Sequence, residues 1–191
     1  SFDAACFESV GHKWIDASEN NYGFAILNDG KYGFGAEDNE ISISLIKCAS
    51  FPNDKANKVV PTFTYSLLPH DNDLTRSNVI KQSYVLNRPL VGVSINNKEG
   101  KLPETYSYVE CLTDGVFIET IKEAFDDERT ILRLYEANNE TKIVRLNFTN
   151  EINEASILDL LENVVENLTI IDKHSIEFNI KPFEIITLIL K

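Results

Sequence analysis

The chain has 191 residues, of which 43% are hydrophobic, with a formal net charge of −12 at pH 7 and a pI near 4.7. This acidic balance argues against a nucleic-acid partner, because proteins that bind phosphate backbones cluster Lys and Arg on one surface. No apolar run approaches the roughly 20 residues of a membrane-spanning helix, so we expect a globular protein with a solvated acidic surface and no membrane partner.

A segment rich in aromatic residues and glycine forms the first clear element. Tyr22–Leu27 is apolar and β-prone, and Asn28-Asp29-Gly30 then supplies residues that tolerate positive φ. Lys31–Phe34 runs back with a similar composition. The pattern predicts a β-hairpin whose turn is Asn28-Asp29-Gly30.

Two more strands are predicted before the middle of the chain. Glu40–Cys48 alternates apolar residues with serine, and Thr62–Leu68 repeats the alternation with Phe63, Tyr65 and Leu67 on the inward side. The residues between these two segments are rich in Pro, Asn, Asp and Lys, which predicts a polar loop.

One helix is predicted in the first half. Thr75–Asn87 carries apolar residues at helical spacing, Ser77 is placed to cap it, and Pro89 prevents its continuation. We expect this segment to link two structural units.

The second half is again rich in strands. Ile157–Val165 fits a helical turn as well as a strand, so that alternative stays open. Short strands separated by turn residues are typical of a β-sandwich, and we predict a mainly β fold of antiparallel sandwich strands with at most one or two short helices. The predicted strands are Tyr106–Cys111, Val116–Ala124, Thr130–Ala137, Lys142–Thr149, the alternating Ile176, Phe178 and Ile180, and Phe183–Leu190.

A series of short motifs spans almost the whole chain. A W-x-D-x-S-E motif and a Y-G-x-x-x-L-N-D-x-K-Y-G motif comprise Trp14, Asp16, Ser18, Glu19, Tyr22, Gly23, Leu27, Asn28, Asp29, Lys31, Tyr32 and Gly33. The later motifs are Leu45–Asp54, Phe63–His70, Leu86–Leu90, Ile131–Glu136 and Pro182–Leu188. In this order they resemble the C-terminal β-domain region of the α-mannosidases of glycoside hydrolase family 38, in its bacterial, cytosolic and vacuolar branch. Lys47-Cys48-Ala49 stands where that family has R-S-P, and Gly30 stands where it has Cys.

The resemblance implies a division of the chain into two domains. Residues 1–83 correspond to the last strands of a large β-sandwich, and residues 84–191 to a small C-terminal β-sandwich. By itself the first part would expose unpaired strand edges. We therefore expect it either to form a self-sufficient layer or to recruit a partner chain. In the second case the protein would form a homo-oligomer.

Composition adds two expectations about the source of the chain. It contains no methionine, so we expect a C-terminal fragment of a longer protein. Cys6, Cys48 and Cys111 are odd in number and form no C-x-x-C pair, which indicates neither a zinc knuckle nor a redox pair. Reduced thiols are the simplest interpretation, and they favour a cytoplasmic location.

The resemblance also implies the activity of the parent protein. That parent would be a zinc-dependent, retaining α-mannosidase that hydrolyses terminal α-D-mannosides in carbohydrate metabolism, with α-mannoside glycans as its partners. The family holds its zinc ion and nucleophile in an N-terminal catalytic region. We therefore expect no catalytic residue, no metal ligand and no cofactor in this chain, and we expect the fragment alone to be inactive.

The histidines give no independent sign of a metal site. His12, His70 and His174 are far apart, with no spacing that directs two ligands at one point. A metal beside His70 is conceivable because Asp71 and Asp73 follow it. A histidine that closes a strand is more simply a hydrogen-bonding loop residue, and that is our interpretation.

Three residues at the predicted hairpin tip are candidates for substrate binding. Asn28 and Asp29 would bond sugar hydroxyls, and Tyr32 would stack on the C–H face of a sugar ring. The alternative is that Asn28 and Asp29 only form a good turn and that Tyr32 is an ordinary strand aromatic. Two interpretations also apply to Trp14, which is either a core anchor or a platform on which a sugar ring stacks.

Three functions are therefore compared. The leading hypothesis is a non-catalytic C-terminal fragment that scaffolds the active site of an α-mannosidase and contributes oligomer contacts. The second is an autonomous carbohydrate-binding β-sandwich module. The third is a structural or interaction module whose exposed strand edges assemble subunits.

Overall fold

The computed structural model describes residues 8–49, 51–55, 58, 60–96, 99–101 and 103–191. Within these residues the chain contains fifteen strands, one 3₁₀ turn and one α-helix, and every strand pairing is antiparallel. The prediction of a mainly β, antiparallel fold is confirmed. No helix in these ranges is long and apolar enough to cross a membrane.

The chain forms two compact units, of which the first ends at Ile95 and the second is Asn96–Lys191. The sequence places a domain boundary at residue 83 instead. That boundary comes from the family resemblance alone, so it stays a prediction.

The first unit contains two three-stranded sheets, with strand orders β1-β4-β5 and β2-β3-β6. A 3₁₀ turn at Leu74–Arg76 precedes helix α1 at Val79–Asn87. The strands are β1 Ser9–Val10, β2 Trp14–Ser18, β3 Tyr22–Asn28, β4 Gly33–Glu37, β5 Glu40–Ile43 and β6 Tyr65–Asp71.

The predicted hairpin at Asn28-Asp29-Gly30 is wrong. β3 is the central strand of its sheet and bonds β2 on one side and β6 on the other. It therefore has no free edge for the segment that follows the turn. Instead, β4 pairs with β1 and β5, so the turn carries the chain from one sheet to the other.

One face of the β2-β3-β6 sheet is covered by α1. Ala25 and Leu27 are buried there against Val79, and Trp14 packs partly buried against the same cluster. This placement favours the interpretation of Trp14 as a core anchor.

The inward side of β6 differs from the prediction. Tyr65 and Leu67 are 52% and 57% exposed, whereas Leu68 packs against the cluster beneath α1. Because α1 covers only one face and β6 lies at the sheet edge, the opposite set of side chains turns inward.

Helix α1 begins later than predicted, after a separately capped 3₁₀ turn. Asp73 caps that turn, its Oδ1 accepting hydrogen bonds from the N–H groups of Thr75 (2.9 Å) and Arg76 (3.3 Å). Ser77 Oγ accepts from Val79 N at 3.3 Å, so Ser77 does bond the start of the helix.

The second unit is built from a four-stranded and a five-stranded sheet, with orders β13-β14-β10-β7 and β12-β11-β15-β9-β8. Its strands are β7 Val109–Cys111, β8 Val116–Glu123, β9 Thr130–Glu136, β10 Lys142–Phe148, β11 Ala155–Leu158, β12 Val164–Asn167, β13 Ile170–Ile171, β14 Ser175–Ile180 and β15 Ile185–Leu190. The ambiguous Ile157–Val165 segment is a strand, a turn and a second strand. Asp159 makes that turn by accepting bonds from Leu161 N (2.8 Å) and Asn163 N (2.9 Å).

Besides a small cluster of Ile131, Leu158 and Ile189, one large apolar cluster forms the core of the second unit. Alternate residues of its strands point into it, as the period-2 pattern predicts. Each fully buried aliphatic side chain contributes about 1.5–3 kcal/mol relative to an exposed one. The members with no exposed surface are Leu132, Leu134, Val144, Leu146, Ile176, Ile180 and Leu188.

Candidate functional site

Asn28 shapes the turn that leaves β3. Its side chain is fully buried, and its Oδ1 accepts hydrogen bonds from Gly30 N (3.0 Å) and Lys31 N (2.6 Å). Its backbone oxygen accepts from Asn87 Nδ2 at 2.9 Å, which joins the turn to the end of α1. Asn28 Nδ2 has no hydrogen-bond partner among the described residues. The side-chain oxygen of Asn28 is thus engaged in the turn, and its side-chain nitrogen remains a buried donor.

Asp29 ties the same turn to the segment that enters β6. Its Oδ1 accepts from Thr64 N at 3.0 Å, and its own N–H donates to Thr64 O at 3.2 Å. These bonds from Thr64 hold the pKa of the exposed Asp29 carboxyl below its ordinary 3.8. Asp29 is therefore an ionised acceptor at neutral pH, and it is already engaged.

Tyr32 presents an aromatic side chain to solvent. Its ring is 54% exposed and lies 5.0 Å from the His12 ring, centroid to centroid. It borders an open cavity of about 330 Å³, which we call the Tyr32 pocket. That volume lies at the small end of ligand sites in proteins. The pocket is lined by Glu8, Ser9, Val10, Gly30, Lys31, Tyr32, Gly33, Ser44 and Lys47.

The polar groups of the Tyr32 pocket converge on Glu8. Its carboxylate accepts hydrogen bonds from Lys47 Nζ and Ser44 Oγ. The bond from Lys47 is the largest cause that lowers the pKa of Glu8 below its ordinary 4.5, and the bond from Ser44 adds to it. Gly33 leaves room for this carboxylate, because a Cβ at that position would overlap Glu8 Oε1.

This arrangement suits recognition of a polar ligand. It offers an ammonium donor, a hydroxyl, a carboxylate acceptor and one aromatic ring. An ionised carboxylate held by Lys47 has no proton to donate at neutral pH, so Glu8 is not placed as a general acid. No sequence pattern marks Glu8 or Ser44, because only the pairing of β4 with β1 on one side and β5 on the other brings them to Lys47.

A second polar cluster lies under α1 on the β2-β3-β6 sheet. His70 Nε2 on β6 is 2.8 Å from Asp16 Oδ1 on β2, and the two side chains are only 5% and 2% exposed. The ring crosses over β3 at Gly23, where an added Cβ would overlap it. Our interpretation of His70 as a loop residue is therefore wrong, since it lies in a strand and forms a buried pair with Asp16.

The environment of His70 sets the direction of its titration. Burial by itself lowers the pKa of His70, but hydrogen bonds to Asp16 and to the backbone carbonyls of Asp71 and Asn72, together with the charge of Asp16, outweigh it. The pKa is raised above its ordinary 6.5. Because folding raises this pKa, the pair stabilises the folded state fully below about pH 6.5, and that contribution is lost as the pH rises through the folded pKa.

We expect an NMR titration of the His70 ring to give a pKa above 6.5, which the Asp16→Asn substitution lowers because it removes both the charged acceptor and its bond. The exposed-site variant Glu37→Gln serves as the control and is expected to leave the His70 midpoint unchanged. A His70 midpoint that is the same in the wild type and in Asp16→Asn would contradict this account.

A buried carboxylate, that of Glu136, lies at the end of β9 in the second unit. Glu136 has a fully buried side chain and accepts from Asn138 N (2.7 Å) and Phe183 N (3.0 Å). Lys142 Nζ lies 3.7 Å from it. Burial raises the pKa of Glu136, but these N–H bonds, a further one from Glu140, and the charge of Lys142 together hold it below 4.5.

The described residues do not fit a zinc site. Among them, no group of three or more His, Cys, Asp or Glu side chains is placed to hold one ion. His70 has a single carboxylate partner, and His174 directs its Nδ1 at the backbone oxygen of Phe148 (3.2 Å).

Two family profiles match the sequence. Residues 1–55 match the glycosyl hydrolases family 38 C-terminal domain, and residues 115–188 match the glycosyl hydrolases family 38 C-terminal beta sandwich domain. The second match covers the sandwich that contains Glu136.

Relatives and solved structures agree with these profiles. Alpha-mannosidase 2C1 of Homo sapiens is 33% identical over 100% of this chain, and alpha-mannosidase G of Dictyostelium discoideum is 34% identical over 98% of it. The crystal structure of an alpha-mannosidase from Enterococcus faecalis V583 superposes with a TM-score of 0.77 over 96% of this chain, at 19% identity, and shows the same fold. This chain spans only 18% of each of the two relatives and 21% of the crystallised one. The chain belongs to glycosyl hydrolase family 38, and its two matched segments correspond to C-terminal domains of that family.

Proposed function

We propose that this chain is the non-catalytic C-terminal scaffold of a zinc-dependent, retaining α-mannosidase that hydrolyses terminal α-D-mannosides. The observation that carries the proposal is the match of essentially the whole chain to α-mannosidases. A retaining glycosidase needs two carboxyl groups on opposite sides of the scissile bond. We assign both, and the zinc ion, to parts of the enzyme outside this chain, since the described residues do not fit a metal site.

We expect the 191-residue chain alone to give no turnover of p-nitrophenyl α-mannoside in the presence of zinc. The physical reason is that the catalytic carboxylates and the metal ligands lie elsewhere in the proposed enzyme. The control is the parent enzyme at the same molar concentration. Turnover by the isolated chain, at a rate proportional to its concentration, would overturn the assignment.

Within the parent enzyme, we propose that the turn between β3 and β4 contributes to substrate binding. Asn28 and Asp29 have their oxygens engaged in the turn and with Thr64. Their proposed role is therefore to hold the turn in place, since the Asn28 side chain is fully buried. Tyr32, more than half exposed beside a cavity, is the residue proposed to stack on a sugar ring.

The Tyr32→Ala substitution in the parent enzyme tests this role. We expect kcat/KM for an α-mannoside to fall about tenfold, because an aromatic contact is worth about 0.5–1.5 kcal/mol and tenfold corresponds to 1.4 kcal/mol. Tyr22→Ala is the matched control, since Tyr22 is 58% exposed and does not line the pocket. Equal kinetics for the two variants would refute a substrate contact at Tyr32.

The Tyr32 pocket also favours a second candidate function, an autonomous carbohydrate-binding module. In that case the isolated chain binds mannose with saturation in the absence of any catalytic domain. The single tryptophan, Trp14, lies in the same compact unit, so its fluorescence provides the readout. Saturable binding by the isolated chain that Tyr32→Ala abolishes would favour the module over a pure scaffold.

We further propose a cytoplasmic location and a homo-oligomeric parent. Cys48 and Cys111 carry free thiols, which suits a reducing compartment. The edge strand β6 exposes Tyr65 and Leu67 on one face, a surface that suits contact with another subunit. Sedimentation of the parent enzyme tests the second proposal, because a monomer at all concentrations would exclude it.

A further inference from the structure

A cleft lies at one end of the sandwich in the second unit. It has a volume of about 690 Å³, roughly twice that of the Tyr32 pocket. The last residues of β10 and β15 and the first residue of β9 border it, so it opens between the ends of the two sheets. The cleft is lined by Tyr108, Asp127, Glu128, Arg129, Thr130, Phe148, Asn150, Glu151, Ile152, Leu190 and Lys191.

The inner part of the cleft is apolar. Phe148, Ile152 and Leu190 are almost fully buried and belong to the core, so they form a rigid base. Tyr108 is partly buried and packs edge-on against Phe148, with ring centroids 6.2 Å apart at an angle of 77°. A tyrosine fixed in this way is an aromatic wall that costs little entropy when a ligand binds.

The polar groups at the opening are held in place before any ligand arrives. Arg129 Nε and Nη2 both lie 2.7 Å from Asp127 Oδ2, and Arg129 N donates to Asp127 Oδ1 at 2.8 Å. Asn150 Oδ1 accepts a hydrogen bond from Tyr106 Oη at 3.4 Å. A guanidinium fixed on both its side chain and its backbone presents its remaining N–H donors in one direction.

The charges at the opening decide the class of ligand. The acidic side chains are Asp127, Glu128 and Glu151, and the basic ones are Arg129 and Lys191. This mixture has no excess of cations to attract a phosphate or other anion. It does offer donors and acceptors side by side, which match hydroxyl groups because each hydroxyl both donates and accepts.

We propose that this cleft is a second carbohydrate-binding site, which takes a neutral oligosaccharide of more than one hexose unit. Tyr108 stacks on the C–H face of one ring, while Arg129 and Asn150 bond the hydroxyls of the same or the next ring. The site belongs to the second unit and is independent of the Tyr32 pocket. Only the choice of mannose as the test sugar rests on the proposed function.

The test uses the isotopically labelled 191-residue chain and an α-linked mannotriose in an NMR titration. Saturable shifts are expected at the amides of Tyr108, Arg129 and Asn150. Arg129→Ala is expected to weaken binding about tenfold or more and Asn150→Ala about fivefold, because a hydrogen bond from a charged donor is stronger than one from a neutral donor. The Asn150 side chain is exposed, and Arg129, 36% exposed, loses only a partly exposed ion pair with Asp127, so both variants are expected to melt within a few degrees of the wild type.

The controls separate this site from the proposed function. Arg145→Ala removes an exposed arginine of β10 that does not line the cleft, and it is expected to bind like the wild type. Shifts that fail to saturate, equal binding in the Arg129 and Arg145 variants, or stronger binding of inorganic phosphate than of mannotriose would each overturn the proposal. None of these outcomes changes the expected kinetics of Tyr32→Ala in the parent enzyme.

Discussion

Glu136→Ala is expected to lower the unfolding free energy of the second unit by about 3–5 kcal/mol, the range found when one partner of a buried charged network is removed. The substitution leaves the N–H groups of Asn138 and Phe183 without their acceptor in a buried site. The bond from Phe183 N to Glu136 also holds Phe183 at a φ of +55°, a left-handed conformation that non-glycine residues adopt at a cost. Such a loss is a large fraction of the 5–15 kcal/mol that stabilises a typical domain.

Urea denaturation followed by far-UV circular dichroism, with amide hydrogen exchange at β9 and β15, measures this loss. Glu140→Ala is the matched control, because the Glu140 side chain is 60% exposed and also contacts Lys142, at 3.1 Å. An exposed ion pair of this kind is worth about 0–1 kcal/mol. Similar losses in the Glu136 and Glu140 variants would show that the buried acceptor is not what stabilises this end of the sheet.

The pH dependence of the Glu136 effect follows from its lowered pKa. A carboxyl whose pKa falls on folding contributes stability that is fully present above its unfolded pKa and is lost as the pH drops through the folded one. The difference between wild type and Glu136→Gln is therefore expected to be full at pH 7 and to shrink below pH 4.5, the ordinary pKa of the group.

Gly23→Ala is expected to destabilise the first unit by about 3 kcal/mol or more, the cost of separating a buried charged pair. The added Cβ would overlap the His70 ring and lie 2.7 Å from Ser18 Cβ. His70 must then leave its place over β3, and Asp16, 2% exposed, keeps a buried carboxylate without its partner. The fluorescence of Trp14, which packs against the same helix-covered cluster, reports the unfolding of this unit.

A double-mutant cycle separates the steric clash from a general effect of alanine. If the overlap with the imidazole is the cause, Gly23→Ala adds much less in a His70→Ala background than in the wild type. Gly92→Ala is the control, because nothing lies within 4 Å of its added Cβ. Equal losses from Gly23→Ala with and without the His70 ring would contradict the role given to this glycine.

The structure gives physical roles to several motif residues that the sequence marks only by resemblance. Asp16 of the W-x-D-x-S-E motif pairs with His70 of the later F-x-Y-S-L-x-P-H motif. Ser18 of the first motif accepts a hydrogen bond from Leu74 N at 3.2 Å, just after β6. Segments far apart in the chain thus share one polar cluster beneath α1.

The sequence alone was sufficient to predict the fold class, most strands of the second unit and the presence of α1, and to recognise the family resemblance. Each of these depends on local information: the alternation of side chains along a strand, the residues that favour turns, or a run of matching letters. The Asn28 turn was likewise identified correctly as a turn, because Asn, Asp and Gly act through their own backbone neighbourhood.

Only the tertiary structure decided which strands pair and which polar side chains meet. Asp16 and His70 are 54 positions apart, and Glu8 and Lys47 are 39 apart, so no periodicity connects them. The hairpin prediction was wrong because β2 and β6 already occupy both edges of β3. The prediction of which β6 side chains point inward was wrong because helix α1 covers the opposite face of the sheet. Sheet order and the face covered by a helix depend on contacts between distant segments, and these determine where a strand finds its partner and where a charge is buried.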